Sequence, residues 1–162
     1  MKKMRIMFVC HGNICRSPMG EFIFRDLLEK AGLSRRVSVA SSATSTEEIW
    51  NGRGNPVYPP AREELAKHGL SCEGKRAVQL KKSDYGEYDL FLCMDSNNLR
   101  NALRIFGSDP EGKVRKLLDY AGGGDVADPW YSDRFDVAYA DILRGCEGLL
   151  KDLIQNGMKN EV

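Results

Sequence analysis

Apolar runs and amphipathic stretches take turns along this chain. The run Arg5-Ile6-Met7-Phe8-Val9 predicts a buried strand. Residues 18–31 place Met19, Phe22, Ile23 and Leu27 at helical spacing and stop at Gly32, which predicts a helix. Residues 37–43, rich in Val and Ser, predict a short strand. Residues 45–60 lose the periodicity and carry Asn51-Gly52, Gly54-Asn55-Pro56 and Pro59-Pro60, which predicts a surface loop. A helix over 61–68 ends at Gly69, and 77–80 is a weak strand. Residues 89–94 form an apolar strand, and Ser96 is a cap candidate for a helix that runs to Phe106 and stops at Gly107. A strand over 114–118 and an irregular Gly-rich loop over 119–133 follow. Phe135, Ala138, Tyr139, Ile142, Cys146, Leu149, Leu150 and Leu153 then recur at helical spacing in the clearest helix of the chain.

Strands that alternate with helices predict an α/β fold, a parallel sheet covered on both faces. At 162 residues the chain is expected to be a single domain, 1–162, with a proper core. In such sheets ligands bind outside the carboxyl ends of the strands. The first strand ends at Cys10, so the loops 45–60 and 119–133 are candidates to flank that point.

The loop at that strand end reads Cys10-His11-Gly12-Asn13-Ile14-Cys15-Arg16-Ser17-Pro18. Five residues between Cys10 and Arg16 can wrap with their amides turned inward at a helix start, and such a nest holds an anion. Gly12 and Asn13 tolerate the positive φ that a tight turn demands. Arg16 offers a planar fork for phosphate oxygens. The same field favours the thiolate of Cys10, which makes it a nucleophile for phosphorus without a metal or cofactor. Ser17 can cap the helix that opens at Pro18, or its hydroxyl can donate to the Cys10 sulfur. A buried structural cysteine beside an exposed arginine is the bland alternative.

An aryl phosphate also needs a proton for its leaving oxygen. Asp128, before Pro129 in the Gly-rich loop, is the candidate acid. Trp130 and Tyr131 follow it and suit a flat substrate ring, or else pack the core. Trp50 lines the cleft or covers the core. His68, near a helix end, reads from its position as a capping or surface histidine. Cys72, Cys93 and Cys146 read as buried packing residues.

Charge and cysteine usage narrow the class further. Lys plus Arg is 24 and Asp plus Glu is 23, so nucleic acid and membrane surfaces are poor partners, and anion affinity must be local. Five cysteines, no Cys-x2-Cys and two histidines argue against a zinc site or a secreted disulfide framework, and for a cytoplasmic protein. The basic start Met1-Lys2-Lys3-Met4 precedes too short an apolar run for a signal peptide or a membrane span. Monomer is the default expectation.

Together, Val9 through Pro18, Ser42-Ala43-Thr44-Ser45, Lys67-His68-Gly69, Cys93-Met94-Asp95 with Asn98, and Asp128-Pro129 resemble the low-molecular-weight protein tyrosine phosphatases over nearly the whole chain. The resemblance implies a three-layer α/β/α domain with a four-stranded parallel sheet and a phosphotyrosine protein as substrate. It implies Cys10 as nucleophile, Arg16 as phosphate ligand, and Asp128 as general acid and then base. It makes Asn13 a left-handed loop residue supported by Ser17 and His68. It makes Cys15 a partner able to trap oxidised Cys10 as a disulfide. Trp50, Trp130 and Tyr131 match the aromatic walls, and His11 stands where many members carry Leu or Thr. Relatives that dephosphorylate phosphoarginine carry Thr where this chain has Ile14, which crowds a planar phosphoguanidinium and favours an aryl ring. An arsenate reductase would need two closely spaced further cysteines, and Cys72 and Cys93 stand 21 positions apart. A redox-sensing, phosphate-binding module built on Cys10 and Cys15 is the non-enzymatic alternative.

Overall fold

A computed structural model of the chain describes residues 3–158; Met1 and Lys2 of the basic start lie outside the described residues. In chain order the elements are β1 (Met4–Cys10), α1 (Arg16–Lys30), β2 (Val37–Ala43), a hairpin of β3 (Ile49–Trp50) and β4 (Arg53–Gly54), α2 (Pro59–Lys67) and α3 (Asp84–Glu87). Then come β5 (Leu90–Cys93), α4 (Ser96–Phe106), β6 (Val114–Lys116), a 3-10 segment (Leu117–Ala121), α5 (Pro129–Ser132) and α6 (Phe135–Gln155).

The four main strands form a parallel sheet in the order β2-β1-β5-β6. Alternation along β1 sorts its side chains between two cores. Ile6, Phe8 and Cys10 join a large cluster with Met19, Ile23 and Phe24 of α1 and Ile142, Cys146 and Leu149 of α6. Met7 and Val9 point the other way, into a cluster with Phe91 and Cys93 of β5 and Ala102 and Phe106 of α4. This is the predicted layered α/β fold.

The strand order reverses beside β1. The chain leaves β1 for β2 on one side and later returns to β5 on the other, so a crevice opens between the carboxyl ends of β1 and β5. Register makes those ends level: Cys10 pairs with Ala43 and Val9 with Cys93.

Several elements differ from the sequence expectation. α1 begins at Arg16, two residues before Pro18, and its inner face uses Phe24 and Leu28, while Phe22 and Leu27 lie only partly buried. The loop 45–60 contains the β3–β4 hairpin, turned by Asn51 at φ 50° and Gly52 at φ 75°, the backbone of a tight hairpin turn. Residues 77–80 are not a strand; one bridge, Ala43 to Gln79, holds them to the sheet edge. The strand expected over 114–118 stops at Lys116 and tightens into the 3-10 segment. Asp95, not Ser96, caps α4: its side chain accepts from Asn98 N, and the Asn98 side chain accepts from Asp95 N.

Candidate active site

The loop 11–15 runs from the end of β1 to the start of α1, and its fixed point is Asn13. Asn13 is buried and sits at φ 58°, the left-handed region. Its side chain makes that turn rigid. Nδ2 donates to Ser17 Oγ at 2.7 Å and to Ser41 Oγ at 2.9 Å, and Oδ1 accepts from Val78 N at 3.0 Å. Backbone bonds from Thr44 N to Cys10 O and from Tyr58 N to Ile14 O tie the loop to its neighbours.

This loop aims donors at one atom. Asn13 N lies 3.3 Å from Cys10 Sγ, Ser17 N 3.4 Å and Ser17 Oγ 3.0 Å. Of the two roles open to Ser17, the structure shows the contact with sulfur; no side chain caps α1, whose N-cap is Cys15. The Cys10 sulfur thus faces two amides and a hydroxyl at the start of α1.

Arg16 closes the loop with its side chain only 3% exposed. Nη1 donates to Asp95 Oδ2 at 2.7 Å and to Val126 O at 2.9 Å, and Nη2 lies 3.6 Å from Asp128 Oδ2. Burial opposes its charge, but Cys10, Asp95 and Asp128 outweigh burial and raise its pKa, so the guanidinium is fixed as a cation. Asp128 is extended at φ −74° and ψ 112°, as a residue before proline should be. Its Oδ1 caps α5 by accepting from Trp130 N at 3.0 Å, which leaves Oδ2 toward Arg16.

These groups surround a cavity of about 400 Å³. Its floor and sides are Cys10, His11, Gly12, Ile14, Cys15 and Arg16. Asp128, Trp130 and Tyr131 line it from the loop after β6, with Trp130 55% and Tyr131 88% exposed. Trp130 is propped by Tyr58, ring centroids 5.0 Å apart. Cys15 stays a neutral thiol: burial, with Cys10 and Asp128 adding to it, pushes it up to about 12. Burial also pushes up the thiols of Cys72, Cys93 and Cys146, in keeping with packing roles.

Two expected residues lie elsewhere. Trp50 neither lines the cavity nor covers the core; it is 79% exposed beside the Asn51-Gly52 turn, which carries it outward. His68 does not support Asn13. Its Nε2 pairs with Glu64 Oε2 at 3.0 Å, and its ring stacks on Tyr139 at 3.7 Å between centroids.

Ser17 supports Asn13 as expected, and the rest of its support comes from residues that the sequence pattern does not single out. Ser41 Oγ donates to Glu21 Oε1 at 2.6 Å, and Lys75 Nζ donates to Ser41 O at 3.0 Å and lies 3.6 Å from Glu21 Oε1. Burial lowers the Lys75 pKa against the pull of Glu21. The one signal in the sequence was Glu21, a carboxylate on a helix between the core residues Met19, Ile23 and Phe24. Glu47 and Glu48 also line the cavity and were not anticipated.

Comparison with known proteins agrees with this geometry. A family model described as "Low molecular weight phosphotyrosine protein phosphatase" matches residues 5–159. The chain is 36% identical over 151 residues to "Low molecular weight protein-tyrosine-phosphatase YfkJ" of Bacillus subtilis, covering 91% of this chain and 94% of that one. It is 37% identical over 157 residues to "Low molecular weight phosphotyrosine protein phosphatase" of Schizosaccharomyces pombe, covering 94% and 98%. The crystal structure of YfkJ superposes with a TM-score of 0.91 at 33% identity, over 98% of this chain and 99% of that chain.

Proposed function

The chain belongs to the low molecular weight phosphotyrosine protein phosphatase family, and on that premise we propose how its residues divide the work. The enzyme is a protein-tyrosine phosphatase, a hydrolase that acts on phosphotyrosine proteins. In the first step the Cys10 thiolate attacks phosphorus. An S–P bond forms, the P–O bond to the phenol breaks, and Asp128 gives its proton to the leaving oxygen. In the second step the Asp128 carboxylate takes a proton from water. The water oxygen attacks phosphorus, the S–P bond breaks, and phosphate leaves with the thiolate restored.

Arg16 and the loop amides hold the transferring group throughout. Both protons of Nη1 are committed to Asp95 and Val126 O, which leaves Nε and Nη2 for phosphate oxygens. Gly12, Asn13 and Ser17 shape or supply the donors, His11, Ile14 and Cys15 form the wall around the phosphorus, and Trp130 and Tyr131 flank the ring.

One observation carries this reading. Asp128 and the Cys10 loop meet on one arginine, in one cavity, from opposite ends of the chain. A redox or phosphate-binding module has no use for such an acid. Phosphoarginine hydrolysis is not favoured, because Ile14 lines the cavity and crowds a planar guanidinium.

One domain, 1–162, is the unit we propose, acting as a monomer in the cytoplasm on phosphotyrosine proteins, with neither nucleic acid nor membrane as partner. The near-balanced charge and the five free cysteines support this. Among the described residues no helix is long and apolar enough to cross a membrane.

The test compares a phosphotyrosine and a phosphoarginine peptide in the presence of chelator. Phosphotyrosine turnover that vanishes in Cys10→Ser, and falls about 100-fold or more in Asp128→Asn, is expected. Unchanged turnover in Asp128→Asn would refute the acid assignment, and a preference for phosphoarginine would refute the substrate.

A further inference from the structure

The wall of the cavity has an acidic side that the chemistry of phosphate transfer does not require. Glu47 and Glu48 both line it, from the segment that leads into the β3–β4 hairpin. A dianionic substrate gains nothing from carboxylates at the entrance, so their charge has to act on something other than the phosphate.

Each carboxylate has a side-chain partner, and the backbone beside it is bonded as well. Glu47 Oε2 lies 3.0 Å from His11 Nε2, and Glu47 N donates to Ser45 Oγ at 3.0 Å. Glu48 Oε1 accepts from Asn55 Nδ2 at 3.1 Å, and Glu48 O accepts from Asn55 N at 2.8 Å. Glu48 also lies across the phosphate loop. A Cβ added to Gly12 would stand 3.2 Å from Glu48 Cγ, so Gly12 is small where this side chain crosses it. Both carboxylates are thus held beside the opening through which a phosphotyrosine enters.

No Lys or Arg of the lining stands beside them at the mouth; His11, 3.0 Å from Glu47, is the basic side chain there. Among the described residues lining the cavity, Arg16 is the one Lys or Arg, and it is buried and engaged with Asp95 and Asp128. Arg53 on the hairpin is exposed and lies outside the cavity lining. The cavity therefore has a cationic floor and an acidic rim. The floor matches the phosphate, and the rim matches whatever flanks the phosphotyrosine.

We infer that Glu47 and Glu48 are specificity residues that select phosphotyrosine segments with Lys or Arg beside the phosphotyrosine and disfavour segments with Asp or Glu there. The inference rests on the phosphatase reading above and adds the charge class of the substrate. An ordinary acidic face would leave its carboxylates free to swing into solvent. Here both are tied to neighbours at the mouth, so they meet the flanking residues at short range. Charge complementarity of this kind acts on encounter and binding, and salt weakens it.

The experiment uses the full chain and three phosphotyrosine peptides that differ only in the two residues adjoining phosphotyrosine: Lys, Ala or Glu. At about 0.02 M salt, kcat/KM should favour the Lys peptide over the Glu peptide roughly tenfold, with the difference in KM. The ratio should shrink to about twofold at about 0.5 M salt. The double variant Glu47→Gln, Glu48→Gln should lower the low-salt ratio to about threefold, and Glu47→Lys should lower it further. Equal turnover of the three peptides by the wild-type protein overturns the inference and leaves the phosphatase reading intact. A ratio that is the same in wild type and in the Gln variant also overturns it, since the selection would then lie elsewhere. Failure to turn over any peptide or p-nitrophenyl phosphate would refute the phosphatase reading, and the inference with it. The salt dependence of the wild-type protein needs no variant, so a misfolded mutant does not shield the proposal.

Discussion

Replacement of Asn13 separates two contributions to the phosphate loop. Its side chain makes three buried hydrogen bonds, to Ser17 Oγ, to Ser41 Oγ and from Val78 N. At about 1 kcal/mol net for each, Asn13→Gly should lose about 3 kcal/mol of stability, because glycine keeps the left-handed backbone without strain. Asn13→Ala loses the same bonds and adds a side chain that disfavours φ 58°, which costs about 1 kcal/mol more. The expected order is wild type, then Gly, then Ala, with total losses of about 3 and about 4 kcal/mol. Activity should fall further than stability implies, because the Asn13 N–H aimed at Cys10 Sγ is no longer held in place. Loss of one oriented donor corresponds to about 100-fold in kcat. Denaturant midpoints with a common slope give the stabilities, and p-nitrophenyl phosphate turnover under conditions where each variant is folded gives the activities. An Asn13→Ala protein within about 1 kcal/mol of wild type would refute the reasoning. A Gly variant no better than Ala would show that backbone strain is not part of it.

Other substitutions test the surroundings of the site. Lys75→Met removes the ammonium that bonds Ser41 O and faces Glu21; with Arg25 still paired to Glu21, a loss of about 2 kcal/mol is expected, and no fall in Tm would refute the role. Gly148→Ala should cost about 3 kcal/mol, since its Cβ would lie 2.0 Å from Tyr120 O. Gly86→Ala in α3 meets nothing within 4 Å and should gain roughly 0.5 kcal/mol; thermal melts that fail to separate these two would refute the packing of α6 on the 3-10 segment. Burial raises the Asp109 carboxyl, but hydrogen bonds from Tyr85 Oη and the N–H groups of Val114 and Lys113 outweigh it and hold the pKa below the ordinary 3.8. The unfolded chain therefore binds the proton first as pH falls, so this stabilisation is complete above 3.8 and is lost below it. Asp109→Asn should cost on the order of 1 kcal/mol at neutral pH, with the gap closing in denaturant titrations below 3.8; a gap constant across that range would refute the assignment.

The loop 10–16 was legible in the sequence because its parts are neighbours in the chain. Nucleophile, amides, arginine and helix start all fall within a single strand-to-helix connection, and local spacing fixes their geometry. Of the supports of Asn13, Ser17 was legible in the same way and the others were not. Ser41 of β2 and Glu21 of α1 meet only when β2 pairs with β1 and α1 packs over both, and Lys75 reaches them from the irregular segment after α2. His68 was placed by resemblance of a short motif, but α2 ends at Lys67 and the His68 ring is spent against Tyr139 of α6. The β3–β4 hairpin had its signal in Asn51-Gly52, but the flanking prolines and the two-residue strands concealed it.

The two carboxylates around Arg16 show how a local signal and a distant contact share one residue. Asp95 uses Oδ1 to accept from Asn98 N and cap α4, and Oδ2 to accept from Arg16. Asp128 uses Oδ1 to accept from Trp130 N and cap α5, and holds Oδ2 3.6 Å from Arg16. Each carboxylate thus does a local job with one oxygen and a distant one with the other. The local job is what a sequence pattern reports, as an acidic residue before a helix. The cap also serves the distant job: it fixes the carboxyl plane, so the second oxygen is aimed by the helix start. Asp95 carries the more rigid version, with a reciprocal bond from its own N to Asn98 Oδ1 and a 2.7 Å contact to Arg16, which suits an orienting anion. Asp128 has the longer contact and is 31% exposed, which suits the proton-carrying role proposed for it. The proposed division between a holding carboxylate and a proton-carrying one matches how tightly each cap is closed, and both are positioned by helix starts on the same crevice.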